Sequence, residues 1–153
     1  MRRSRRNVPA HLAEPDDLFR DIQHVLDQDL SRGGGLMLKK YRELIDDSLG
    51  GYCTIATEAY FFLHGQGTRD PREGGDLQPM MKPHHDGSHW WLRRTSDGAI
   101  IDLTIRPGEP ANAADYEDGR PKGFMMHGYR KPSQRALTLM ERVRARRGEK
   151  PIA

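Results

Sequence analysis

Cys53, His89 and Asp102 are the residues whose types and order suit nucleophilic chemistry. Cys53 is the one cysteine of the chain. It stands in "GGYCTIATEAYFFLHG", after a glycine pair and before an apolar run that reads as a helix. A thiol at the start of a helix meets the positive end of the dipole and unpaired backbone N–H groups. These favour the thiolate and can hold a developing oxyanion. Gly50 and Gly51 leave room for a substrate to approach the sulfur. The thiol still needs a base, and the base an orienting group. His89 opens "HWWLRR" and Asp102 lies in "IIDLT", with the turn sequence "TSDG" between them. Paired strands lie about 5 Å apart, so a hairpin can bring the imidazole to the carboxylate. A turn centred on Thr95–Ser96 sets the two nearly opposite. A turn at Asp97–Gly98 shifts them by several residues, so the register stays open.

Each of these residues also has a plainer role. A lone cysteine on an apolar helix packs as a small hydrophobe. His89 can simply begin a strand. Asp102 lies between Ile101 and Leu103, where an unpaired carboxylate is costly. An arginine or a backbone N–H can pair it, but a histidine on the adjacent strand is its natural partner. "HHDGSH", residues 84–89, has metal-type ligands close together. It sits in a Gly/Pro-rich stretch with no distant Cys/His pair to complete a site, so neither a metal nor another cofactor is expected. Trp90 and Trp91 alternate to opposite faces of a strand. One belongs in the core, while Trp91 and Tyr52 are expected to contact substrate. His64 is expected to cap the end of the helix that follows Cys53.

The elements that must position these groups are legible from periodicity. Residues 16–30 carry Leu18, Phe19, Ile22, Val25, Leu26 and Leu30 at helical spacing, with acids in the first turn. "SRGGG" stops that helix. Residues 36–51 read as a second, shorter helix. The third begins at Cys53 and buries Ile55, Ala56, Ala59, Tyr60 and Leu63. Residues 65–87 read as a long loop, followed by a hairpin of His89–Arg94 and Ala99–Ile105. The segment from Tyr116 to Phe124 is expected to fold over that hairpin as a cleft wall, without an assigned chemical role. A last helix spans about 133–147, with Ser133 as its N-cap. Helices, then a hairpin, then a helix make an α+β fold. The domain plan is a disordered basic arm at 1–15, one domain over 16–147 and a tail at 148–153.

A chain of 153 residues is long enough for one domain with its own core. No apolar run is long enough to cross a membrane. The basic start has no apolar stretch behind it and so does not read as a secretory signal. One cysteine makes no internal disulfide. The expectation is a cytoplasmic protein with no membrane contact. Much of the +3 net charge lies in "RRSRR" and "RVRARRGEK", which read as solvated ends or as weak, non-specific contacts to nucleic-acid phosphates.

The order Cys at a helix start, "HWW" on a strand and "DLT" after it resembles the papain-like/transglutaminase-like thiol enzymes. The pattern "GYC…SHWW…GAIIDLT" is especially similar to that of small bacterial and phage proteins. The likeness covers residues 50 to about 125. It implies a small papain-like or transglutaminase-like core and a triad of Cys53 as nucleophile, His89 as base and acid, and Asp102 as orienter. It further implies acyl transfer from a peptide, a protein or a small amide or ester. With water as acceptor this is a peptidase, amidase or deamidase; with an amine it is a transferase. There is one departure. Papain-type enzymes have an oxyanion-hole glutamine shortly before the cysteine, where this chain has Asp46 and Asp47. The donors would then be backbone groups such as the Cys53 N–H, or the side chains of Trp91 or Tyr52. Two readings from other classes stand beside this one: a non-catalytic module of the same fold that binds a peptide or partner, and a basic nucleic-acid-binding protein.

Overall fold

A computed structural model describes residues 8–38, 42, 49–64, 70–84, 87–125 and 127–149. The expected helix over 36–51 and the basic residues 1–7 fall largely outside these, as do Asp46, Asp47, His85 and Asp86. The described residues form an α+β fold of three helices and a four-stranded antiparallel sheet.

Helix α1 spans Asp17–Ser31. It starts there because Asp16, in extended conformation, accepts a hydrogen bond from Phe19 N at 2.8 Å. Such a cap stabilises a helix by about 1 kcal/mol. The apolar residues at helical spacing become its buried face: Leu18, Phe19, Ile22, Val25 and Leu26. Gln23 and Asp29 are buried with them. The helix ends where Gly33 and Gly34 take positive φ, and the Gly34 N–H closes on Asp29 O at 2.9 Å.

A single 3₁₀ turn, Gly50–Tyr52, leads into α2, Cys53–Leu63. All of Cys53–Phe61 is buried except Thr54, which is what a helix apolar on most of its surface requires. Leu63 is only half-buried. His64 takes the C-cap position, its N–H bonded to Tyr60 O and its ring stacked on Tyr60. Helix α3 spans Gln134–Arg146, with Ser133 as N-cap accepting from Ala136 N at 3.3 Å. Helix α2 packs against α1, α3 and the sheet.

The sheet order is β3-β2-β1-β4. Strand β1, Leu77–His84, pairs along its whole length with β2, Gly87–Arg94. Within the loop expected over 65–87, Leu77–His84 is therefore a strand. Its two prolines argue against a strand in sequence, and the pairing explains how they are tolerated. Pro79 O accepts from Lys122 N at 3.0 Å, so the backbone of Pro79 faces away from β2. Pro83, four residues on, faces the same way. On that side β4 is only Arg120–Pro121, pairing with Met80 and Met81, so the prolines take no bond from the β1–β2 ladder.

Strand β3 is Ile100–Ile101, shorter than the expected arm of the hairpin. The reason lies in Asp102. Its Oδ1 accepts from Thr104 N at 2.9 Å and Thr104 Oγ1 at 2.7 Å, and Ile105 N closes on Asp102 O at 3.1 Å. This local turn replaces further ladder pairing. Residues 8–13, expected within a disordered arm, instead lie along the sheet edge. Leu12 bridges Ile100 in parallel, and Pro9 bridges Asn112. Ile100 N donates to His11 O at 2.8 Å and Ala13 N to Ile100 O at 2.9 Å. A two-residue edge strand leaves backbone groups unmet, and this strip meets them.

Candidate active site

Cys53 is the first residue of α2, 7% exposed. Its Sγ lies 3.4 Å from Ser88 O, to which a thiol can donate, and 3.9 Å from Thr54 Oγ1. The start of the helix is anchored from behind. Tyr52 is fully buried, and its hydroxyl donates to Asp29 Oδ2 at 2.7 Å. Asp29 also accepts from Leu36 N and from Arg142, tying α1, α3 and the approach to Cys53 together. Burial and the Asp29 carboxylate push the Tyr52 phenol well above its ordinary value, so it stays a donor. Tyr52 was expected to contact substrate. It has no surface to offer one, and its role is to fix the helix start.

His89 comes from β2 and Asp102 from the end of β3. The observed pairs Leu92–Ile101 and Arg93–Ile100 fix the register left open by sequence. Arg94 N bonds Ala99 O at 2.8 Å, so the turn holds four residues, Thr95–Gly98. Continuing the register puts Trp91 opposite Asp102, with His89 diagonal to it on the same face. A diagonal neighbour is within reach of a long side chain. His89 Nε2 meets Asp102 Oδ2 at 2.9 Å. Cys53 is close enough to help raise the His89 pKa, and with Nε2 held by Asp102, Nδ1 is the nitrogen left to face the sulfur. The structure thus brings the three sequence-predicted residues together.

Electrostatics favour a charged imidazole. Burial opposes the cation. The hydrogen bonds with Asp102 and Cys53, and their charges, outweigh burial and raise the His89 pKa to about 9. Burial likewise opposes the Asp102 carboxylate, yet the bonds from His89 and Thr104 hold it below the ordinary range. Asp102 is 3% exposed and its oxygens accept four hydrogen bonds. The fourth comes from Tyr116, whose hydroxyl reaches Oδ2 at 2.8 Å. The sequence carried a faint signal for Thr104, because Asp-x-Thr suits an Asx turn. It carried none for Tyr116, which reaches the site from an irregular segment.

Trp90 and Trp91 do go to opposite faces, but both are 1% exposed. Trp90 stacks on Phe124 in the main core, with its indole N–H on Ser88 Oγ at 3.1 Å. Trp91 lies beside His89, ring centroids 5.4 Å apart, with Tyr116 edge-on at 5.0 Å. The expected substrate contact at Trp91 is covered over by Tyr116 and the turn to Gly119. A Cβ on Gly119 would fall 2.3 Å from Trp91 Cζ2, so only glycine fits there. The expected cleft wall from Tyr116 onward does lie over the hairpin, as a lid on Trp91.

Gln23 is a second missed residue. From α1 its amide donates to Leu103 O and Ile105 O, both at 2.9 Å, and so holds the turn that carries Asp102. The Cys53 N–H, considered as an oxyanion donor, is bonded to Gly50 O. A cavity of about 330 Å³ between the N-terminal strip, α1 and the 105–109 turn has Asp102 in its wall, but not Cys53 or His89. Among the described residues, no three His, Cys, Asp or Glu side chains converge as a metal site. None of the helices there is long and apolar enough to cross a membrane. No family model, no curated protein and no solved structure matches the chain.

Proposed function

We propose that this protein is a cysteine-dependent acyl-transfer enzyme with a papain-like or transglutaminase-like core, acting on a peptide, protein or small amide or ester. The observation that carries the reading is Cys53 at a helix start beside His89, whose Nε2 is bonded to a fully satisfied Asp102.

The chemistry follows from those positions. The Cys53 thiolate forms a C–S bond to the substrate carbonyl carbon, and the carbonyl π pair moves to oxygen. When the oxyanion collapses, the C–N or C–O bond breaks and His89 gives its proton to the leaving amine or alcohol. The neutral imidazole then takes a proton from water, whose oxygen attacks the thioester. The C–S bond breaks, and the thiolate and imidazolium are restored. An amine in place of water gives transfer. Asp102 keeps its charge throughout and holds the imidazole in orientation.

The test is alkylation of the folded protein with iodoacetamide, with mass spectrometry for a thioester after incubation with a p-nitrophenyl ester. Cys53 should alkylate and acylate in the native state, and His89→Gln should slow both at least tenfold, on the order expected for a lost general base. Reaction of Cys53 only after denaturation would leave it a packing residue.

One observation favours the non-catalytic module as a second reading: the Cys53 N–H already has its partner in Gly50 O. On that reading no thioester forms with any ester tried, and Cys53→Ala binds peptide as the wild type does.

A further inference from the structure

We propose that Tyr116 is a positioning residue for the Cys53–His89–Asp102 site: its hydroxyl shares Asp102 Oδ2 with His89, and its ring holds the imidazole toward Cys53. This deepens the acyl-transfer reading and rests on it for any effect on turnover. The effect on His89 itself is readable without substrate.

The carboxylate has no free direction. Oδ1 takes both donors of Thr104, and Oδ2 takes His89 Nε2 at 2.9 Å and the Tyr116 hydroxyl at 2.8 Å. Two donors on one oxygen divide its charge. The phenol therefore weakens the hold of Asp102 on the imidazolium while preventing rotation of the carboxylate. Burial, together with the Asp102 charge and hydrogen bond, pushes the phenol pKa far up, so Tyr116 donates at any working pH. The groups around His89 are Cys53 from α2, Asp102 from the end of β3, Tyr116 from the covering segment, and Lys82, its cross-strand partner on β1. Asp115 adds a charge beside Tyr116.

The ring does separate work. His89, Trp91 and Tyr116 form a triangle of rings, with His89–Trp91, Trp91–Tyr116 and His89–Tyr116 centroids 5.4, 5.0 and 6.3 Å apart. Tyr116 is itself held by backbone bonds to Ala113 O and from Gly119 N, both 3.1 Å. Gly119 is where that turn presses on Trp91, with no space for a Cβ. Thus the hydroxyl and the turn can be altered independently.

The experiment follows His89 Cε1–H by NMR titration, assigned with His89→Gln, and Cys53 alkylation at pH 7 on the same samples. Tyr116→Phe keeps the ring and removes the hydroxyl. With the competing donor gone, the His89 midpoint should rise by about 0.5 pH, the order of one hydrogen bond shared between two donors. An unchanged or lower midpoint overturns the proposal. Gly119→Ala must lift the turn off Trp91, and alkylation should slow about tenfold as imidazole orientation is lost. An unaltered rate in a folded Gly119→Ala variant overturns the ring's part. If that variant does not fold, Tyr116→Phe decides alone. Should wild-type Cys53 prove inert, the acyl-transfer reading fails, while the His89 titration still reports on Tyr116.

Discussion

At the scale of single residues, the site is an arrangement of charge in a nearly closed space. His89 tests this most directly. Its folded pKa, about 9, lies above the unfolded value of 6.5. Its pairing therefore stabilises the fold fully below about pH 6.5 and loses that contribution as pH rises through 9. Denaturation of wild type and His89→Gln from pH 6 to 10 should show the difference shrinking by a few kcal/mol across that window. A constant difference would mean that His89 is not held as a cation. Turnover should fall through the same window, because the imidazole then has no proton for the leaving group. Asp102→Asn keeps the shape of the side chain and removes its charge. An amide NH₂ must then face either Thr104 or the His89 and Tyr116 donors, at a cost of about 1–3 kcal/mol. Native alkylation of Cys53 near pH 7 should fall about tenfold while circular dichroism stays native. Unchanged reactivity would reduce the triad to a dyad. The three residue types and their order were readable in sequence, because few groups suit this chemistry. Tyr116 and Tyr52 were not, because each owes its role to a hydroxyl partner far along the chain.

At the scale of elements, α1 positions a carboxylate it never touches. Gln23 is a buried polar residue on its apolar face, and its amide donates to the two carbonyls flanking Thr104. Gln23→Leu should leave those two carbonyls without this donor and cost about 1–3 kcal/mol. It should also slow Cys53 alkylation, though Gln23 is not in contact with sulfur or imidazole. Amide exchange faster at Ile105 than at the α1 core would locate the loosening in the turn; uniform exchange changes would argue against it. Helices α1, α2 and α3 followed from apolar spacing and from the caps at Asp16 and Ser133. Strand β1 did not, because Pro79 and Pro83 signal a loop unless the strand's outer side is nearly unpaired. The shortness of β3 was hidden too: an aspartate that bends the chain back onto Thr104 looks, in sequence, like one residue of an apolar strand.

At the scale of the whole molecule, the basic C-terminal stretch meets acids of the chain, and the N-terminal strip meets the sheet edge. Arg146 and Arg147 of the basic C-terminal stretch pair with Asp21 of α1, and Arg144 pairs with Glu149. Exposed pairs of this kind contribute little each, but they direct these cations inward to the chain's own acids. The strip over residues 8–13 is the larger matter. It makes four backbone hydrogen bonds with Ile100, Ala111 and Ala113. It covers the edge strand two residues before Asp102 and walls the cavity beside it. Deleting residues 1–7 should leave urea denaturation and Cys53 alkylation unchanged, since the strip remains. Deleting residues 1–13 removes the four bonds, at about 0.5–1.5 kcal/mol each, and bares the edge at Ile100. Stability should then drop by about 2–6 kcal/mol, with self-association rising with concentration in sedimentation runs. Alkylation of whatever stays folded should slow, because Ile100 and Ile101 fix the start of the Asp102 turn. A 1–13 deletion as stable and as reactive as the full chain would show that the sheet holds its edge, and Asp102, without the strip.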